Sequence, residues 1–169
     1  MGRARFAKAA PSIPVSHINM PIKPPAASGR ESNESAGVVQ IANFGLVTPG
    51  KGIEKALRTL SSLKTDHNFH YTLVGEPNSF FDVRALVRQY DMEDRVTITG
   101  HLRLDEFERW IAATDIALNL RERTVGETSA SLCRIMAAGV PAIVFNVGAF
   151  AELPGDAIVK SIRTKMPKL

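Results

Sequence analysis

The chain has 169 residues, the length of one domain of ordinary size. A composition of 44% hydrophobic and 22% charged residues excludes wholesale disorder and collagen-like or low-complexity architecture. The net charge is +4, but residues 1–37 carry +3 and the last ten carry +4, which leaves 38–159 at −3. A protein that grips nucleic acid keeps its Lys and Arg in the folded body, so nucleic acid is not an expected partner. The basic ends leave a weak attraction to anionic membrane surfaces open. No apolar run approaches the ~18–20 residues that a transmembrane helix needs. A lone Cys133 excludes an internal disulfide framework and a multi-cysteine zinc site. His17, His67, His70 and His101 have no metal-binding spacing, so no metal is expected.

Residues 1–37 hold half of the ten prolines and end in Ser28-Gly29-Arg30-Glu31-Ser32-Asn33-Glu34-Ser35. That is linker composition, and it contains no apolar stretch of the kind a secretory signal uses. A folded domain is expected over 38–169.

Val38–Phe44 reads as a buried strand closed by Gly45. Ile53, Ala56, Leu57, Leu60 and Leu63 follow at helical spacing, with a helix start near Gly50–Ile53. Phe69–Val74 is a second strand, closed by Gly75, and Phe81–Tyr90 is helix-like. Arg95–Thr99 is a third strand closed by Gly100, and Phe107, Trp110 and Ile111 mark the next amphipathic helix. Asp115–Leu120 is a fourth strand, 128–138 a helix stopping at Gly139, Pro141–Phe145 a fifth strand, and Ala157–Val159 a sixth. Strict alternation of strand and helix implies right-handed crossovers. The expected fold is a single α/β domain with a doubly wound, Rossmann-like parallel sheet.

Such sheets bind ligands beyond the carboxyl ends of their strands, so the residues after strands matter most. After the first strand comes Gly45-Leu46-Val47-Thr48-Pro49-Gly50-Lys51-Gly52. Glycine admits a phosphate close to the backbone, and a helix start adds free N–H groups and a positive dipole end. Lys51 in that first turn opposes the usual preference for acids there, which an anionic ligand would offset. A plain Pro-Gly turn with a surface lysine explains the same residues. No GxGxxG follows a strand, and Gly52 stands where a P-loop needs Ser or Thr, so neither common nucleotide fingerprint is present.

The fourth strand leads into Arg121-Glu122-Arg123-Thr124-Val125-Gly126-Glu127-Thr128-Ser129-Ala130-Ser131. Two arginines and several hydroxyls at a helix start suit a diphosphate and sugar hydroxyls; ordinary helix capping by Thr128, Ser129 and Glu127 is the competing explanation. Arg134 lies two turns on, either on the surface or at the cleft. His101 and Glu152 each lie beyond a strand end, with ligand and structural roles both open. Cys133 reads as a buried, inert thiol. No serine–histidine–acid or paired-carboxylate set can be defended, so no catalytic residue is assigned.

Segment 38–160 resembles the C-terminal, donor-binding domain of GT-B glycosyltransferases of family 4. The resemblance rests on Phe44–Ile53, Tyr71–Gly75, Val96–His101, Trp110–Leu118, Gly126–Ser129, Met136–Pro141 and Phe150–Pro154, in order and at the right spacing. It implies a nucleotide-diphosphate sugar as donor substrate, no further cofactor, and transfer with retention to an acceptor. By the same likeness, Lys51 and the Gly45 loop would hold the diphosphate. The Gly126–Ser131 helix start, with Glu127, Thr128 and Ser129, would face sugar and phosphates, and Gly75 and His101 would lie near the nucleoside. It also implies a cytoplasmic enzyme of polysaccharide biosynthesis.

The chain departs from that family in three places. Where the family often has two glutamates seven residues apart, Glu127 is one place out of register and Arg134 occupies the second position. An arginine cannot accept ribose hydroxyl hydrogens; it suits phosphate or an acidic sugar. The arginine often found early in the first loop is missing, and Arg121 or Arg123 would substitute. Finally, GT-B transfer uses two domains, and this chain is expected to begin where the first ends and to stop before the closing helices. A separate acceptor domain or subunit is then the expected partner. The alternative is a binding-only fragment that holds nucleotide-sugar without transfer.

Overall fold

The computed structural model describes residues 22, 37–123, 128–155 and 158–161. Its strands are β1 (Val39–Phe44), β2 (Phe69–Val74), β3 (Val96–Ile98), β4 (Ile116–Asn119), β5 (Ala142–Phe145) and β6 (Ile158–Ser161). The helices between them are α1 (Ile53–Leu63), α2 (Val83–Gln89), α3 (Leu104–Ala112) and α4 (Ala130–Ala137). Short 3₁₀ turns cover Pro49–Lys51 and Gly148–Glu152. The strands form one sheet in the order β3-β2-β1-β4-β5-β6, and every pairing is parallel. The expected doubly wound α/β fold is therefore present. The strand order reverses between β1 and β4, the place where such sheets open a ligand crevice.

Alternation along each strand assigns the two cores. Ile41 of β1 and Tyr71 and Leu73 of β2 face α1 and α2, with Ile53, Leu57 and Val83. Ala42 and Phe44 face the other side, with Ile111 of α3 and Leu132 and Ile135 of α4. The amphipathic spacings serve these cores. In α1, Ile53, Ala56, Leu57 and Leu60 are buried, while the fifth expected position, Leu63, is 37% exposed. Burying a side chain of this size contributes about 1.5–3 kcal/mol. In α3, Ile111 is buried and Phe107 meets the Phe44 ring edge-on at 5.3 Å.

Local chemistry sets the helix ends. The Asp82 carboxylate accepts from the Ala85 N–H at 2.9 Å at the start of α2, and Glu106 accepts from the Arg103 N–H at 3.0 Å at the start of α3. These caps satisfy N–H groups that a helix start otherwise leaves open.

Several boundaries differ from the sequence expectation. The second helix is Val83–Gln89 and starts two residues inside the expected Phe81, because Asp82 caps it. The last helix begins at Ala130, after its cap Ser129, and ends at Ala137. The sixth strand runs to Ser161, held in register with Phe145. The largest change is at the first loop. Lys51 closes a 3₁₀ turn, Gly52 turns left-handed at φ +68°, and α1 begins only at Ile53. Lys51 thus precedes the helix and is not in its first turn.

The crossovers after β3 pass on the α3–α4 side. On the α1 side, Leu118 of β4 packs with α1, and among the described residues no further helix follows over β5 and β6. A groove of about 420 Å³ remains there, lined by Ile41, Leu118, Ile143 and Phe145 of the sheet and by Lys55 and Leu60 of α1. No helix of the described residues is long and apolar enough to cross a membrane.

Candidate functional site

The loops after β1, β2 and β4 are tied to one another at the carboxyl edge of the sheet. Gly45 (φ +89°) donates to the Val74 carbonyl at 2.9 Å, and Gly75 (φ +151°) donates to Thr99 Oγ1 at 3.1 Å. Val47 then donates to Glu76 O at 2.8 Å and Asn78 to Val47 O at 3.0 Å, so the two loops stay paired past the strand ends. On the other side Gly52 lies against β4's end, where a β-carbon on it would stand 2.5 Å from Leu120 O. Glu122 N–H reaches Gly50 O at 3.4 Å, and the Glu122 carboxylate pairs with Lys55 at 2.8 Å.

This framework turns Lys51 inward. The residue is 8% exposed, and its ammonium donates to the carbonyl oxygen of Phe44, the last residue of β1. It lies over Gly45, 2.8 Å from where a β-carbon would be, so any side chain at 45 would occupy the ammonium's place. Burial first, and then the Arg121 guanidinium nearby, push Lys51 down from 10.5 to about 8. Two cations from the loops after the adjacent strands β1 and β4 therefore share one space at the carboxyl edge of the sheet.

The start of α4 borders the same space. Ser131 Oγ is 4.0 Å from the Gly45 β-carbon position and 3.2 Å from Ser129 Oγ, and buried Ser129 accepts from the Leu132 N–H at 3.4 Å. Gly45, Lys51, Arg121 and Ser131 are thus brought together, with the positive end of α4 beside them. Cations, a hydroxyl and a helix start with no side-chain bulk at Gly45 make a cradle for a phosphate-bearing anion.

The other expected residues are dispersed. His101 is exposed beyond β3, next to Gly100, whose β-carbon position is 3.7 Å from the Glu76 carboxylate. Gly75 serves the backbone: its α-carbon packs against Gly45. Arg123 and Thr128 are exposed. Gly126 and Glu127 lie outside the described residues. Arg134 pairs with Glu108 of α3 at 3.0 Å, which engages its guanidinium between two helices. Glu152 is exposed at the end of the 3₁₀ turn after β5. Cys133 is half-buried, and burial raises its thiol. Among the described residues no group of three His, Cys, Asp or Glu is placed to hold a metal ion.

Two buried asparagines went unnoticed in the sequence. Asn43 and Asn119 sit near the carboxyl ends of the adjacent strands β1 and β4, at 2% and 5% exposure. Asn43 Oδ1 and Asn119 Nδ2 have no hydrogen-bond partner among the described residues. The signal was an amide inside an otherwise apolar strand, as in Ile41-Ala42-Asn43-Phe44.

A doubly wound parallel sheet with Lys51, Arg121 and the start of α4 gathered at its strand reversal defines a Rossmann-like α/β domain. The pattern that defines the group 1 glycosyl transferases matches residues 38–163, and the chain belongs to that family. N-acetyl-alpha-D-glucosaminyl L-malate synthase of Bacillus anthracis is 28% identical over 116 residues, 69% of this chain and 29% of the synthase. The chain thus spans less than a third of that relative. The C-terminal domain of the group 1 glycosyl transferase LpcC from Francisella tularensis superposes with a TM-score of 0.60 at 20% identity. That match covers 72% of this chain and 67% of that domain. HepE of Anabaena, solved with UDP and glucose, gives a TM-score of 0.62 at 17% identity, over 79% of this chain and 37% of HepE.

Proposed function

We propose that this chain is the donor-binding part of a glycosyltransferase and holds the diphosphate of a nucleotide-sugar in the Lys51 cradle. The observation that carries the reading is the buried Lys51 ammonium with the Arg121 guanidinium nearby and the start of α4 beside it. Family membership supports sugar transfer, and the UDP bound in HepE supports a nucleoside diphosphate as the handle. Lys51 and Arg121 neutralise diphosphate oxygens, and Ser131 and the α4 N–H groups bind oxygens from the opposite side. These groups stabilise the negative charge that grows on the diphosphate as the bond from the sugar's anomeric carbon breaks. Retention at that carbon, a cytoplasmic setting and a role in polysaccharide biosynthesis belong to the same proposal.

The acceptor is placed by a separate domain or subunit in this reading. The matched segment spans 29% of the Bacillus anthracis synthase, and a binding-only role for the isolated chain is the second reading. A transfer assay separates the two, since turnover by this chain alone contradicts the binding-only role. The test of the site is thermal denaturation with UDP, GDP and ADP. At least one raises the midpoint, and Lys51→Ala removes the rise; no rise with any nucleoside diphosphate contradicts the donor site.

A further inference from the structure

We propose that a nucleoside diphosphate entering this site displaces the Phe44 carbonyl from Lys51 and, in alkaline solution, draws a proton from solvent onto that nitrogen. The inference rests on the donor-site reading and adds how the site is regulated. In the folded chain the Lys51 nitrogen has a main-chain carbonyl as its hydrogen-bond acceptor. A carbonyl oxygen carries only a partial charge and compensates poorly for burying an ammonium. The step balances as an amine taking up one solvent proton to become an ammonium, with no bond to carbon made or broken.

The charged groups around Lys51 point the same way. From the loop after β4 comes the Arg121 guanidinium, which disfavours a second positive charge. From α4 comes a neutral hydroxyl, Ser131. The nearby carboxylates are engaged elsewhere: Glu122 with Lys55 at 2.8 Å, and Glu54 of α1 with the Tyr90 hydroxyl at 3.4 Å. Arg123 and Glu152 are exposed, and Glu127 lies outside the described residues. A diphosphate brings the negative charge that this set of described neighbours does not bring to bear on the lysine, and so restores its ordinary affinity for a proton.

The sign follows directly. Free Lys51 loses its proton around pH 8, whereas diphosphate-bound Lys51 keeps it to a higher pH. Binding therefore consumes protons above pH 8, and affinity falls as pH rises. For a free midpoint of 8 and a bound midpoint well above 9, the loss from pH 7 to pH 9 is about tenfold. At pH 8.5 uptake is roughly 0.7 of a proton per site. The terminal phosphate, titrating near ~6, contributes little there.

The experiment is calorimetric titration of the protein with UDP and GDP at pH 8.5, in buffers of different ionisation heat, repeated at pH 7 and 9. Proton uptake with the tenfold weakening supports the inference. Lys51→Arg, charged throughout this range, binds with no uptake and a flat pH profile. Binding by the wild type without uptake overturns the inference and leaves the donor site standing. No binding at any pH overturns both. Should Lys51→Arg bind too weakly to measure, an NMR titration of the wild-type Lys51 side chain decides. A free midpoint near 8 that rises by more than one unit with UDP supports the inference, and a free midpoint near 10.5 overturns it.

Discussion

The α-carbon of Gly75 faces the carbonyl of Gly45 so closely that a β-carbon there would lie 2.3 Å from the oxygen. Gly75 also sits at φ +151°, a conformation that L side chains rarely adopt. Both constraints come from the same cause: the loops after β1 and β2 remain paired beyond the strands, through Val47 and Pro77. Gly75→Ala is expected to lower stability by at least about 3 kcal/mol, read by urea denaturation. A loss below about 1 kcal/mol would show that the loops separate without cost.

Lys51 carries an energetic penalty in the folded chain. Its folded value, about 8, lies below its ordinary 10.5, so the unfolded chain binds more protons between those pH values. Stability therefore rises with pH from about 8 to 10.5, and below 8 the full penalty, on the order of 3 kcal/mol, is present. Lys51→Met, which keeps the length and removes the charge, is expected to raise the melting midpoint at pH 7 and flatten that rise. The same variant loses its response to nucleoside diphosphates. Equal or lower stability of the variant at pH 7 would show that the ammonium is not penalised.

Arg134 and Glu108 link α4 to α3 as a partly exposed ion pair. A double-mutant cycle with Arg134→Met and Glu108→Gln is expected to give a coupling of about 0.5–1 kcal/mol. Arg134→Met is expected to keep the thermal response to UDP or GDP. Loss of that response would move Arg134 into the donor site and make its pairing with Glu108 incidental.

Ser129 caps α4 beside the cradle. Ser129→Ala is expected to cost about 1 kcal/mol in denaturation experiments, the usual loss for a helix N-cap. It should also weaken nucleotide binding modestly, because Ser131 Oγ loses its neighbour at 3.2 Å. An unchanged stability would place the cap elsewhere.

The fold was legible because its strands are short apolar runs closed by glycines and its helices bury one stripe each. Val38–Phe44 and Phe69–Val74 were placed to within a residue, and α1 and α3 followed from Ile53–Leu60 and Phe107–Ile111. Lys51 was visible as a basic residue beside glycines after a strand. Its inward turn was not, because that depends on Gly52 turning left-handed against Leu120, a contact between loops 68 residues apart. The acceptor it uses, Phe44 O, is main chain and has no residue-type signature. Arg134 reads alike on a cleft or against a neighbouring helix, and only Glu108 in space separates the two. Asn43 and Asn119 were masked by the apolar strands around them.

The central claim is that the Lys51 cradle holds a nucleoside diphosphate. It is tested most directly by mapping backbone amide shifts as UDP or GDP is added to the isotope-labelled chain. The largest changes are expected at Gly45, Lys51 and Ser131, with no comparable change along the groove of Ile41, Leu118 and Phe145. No change with either nucleotide, or changes centred on that groove, would contradict the claim.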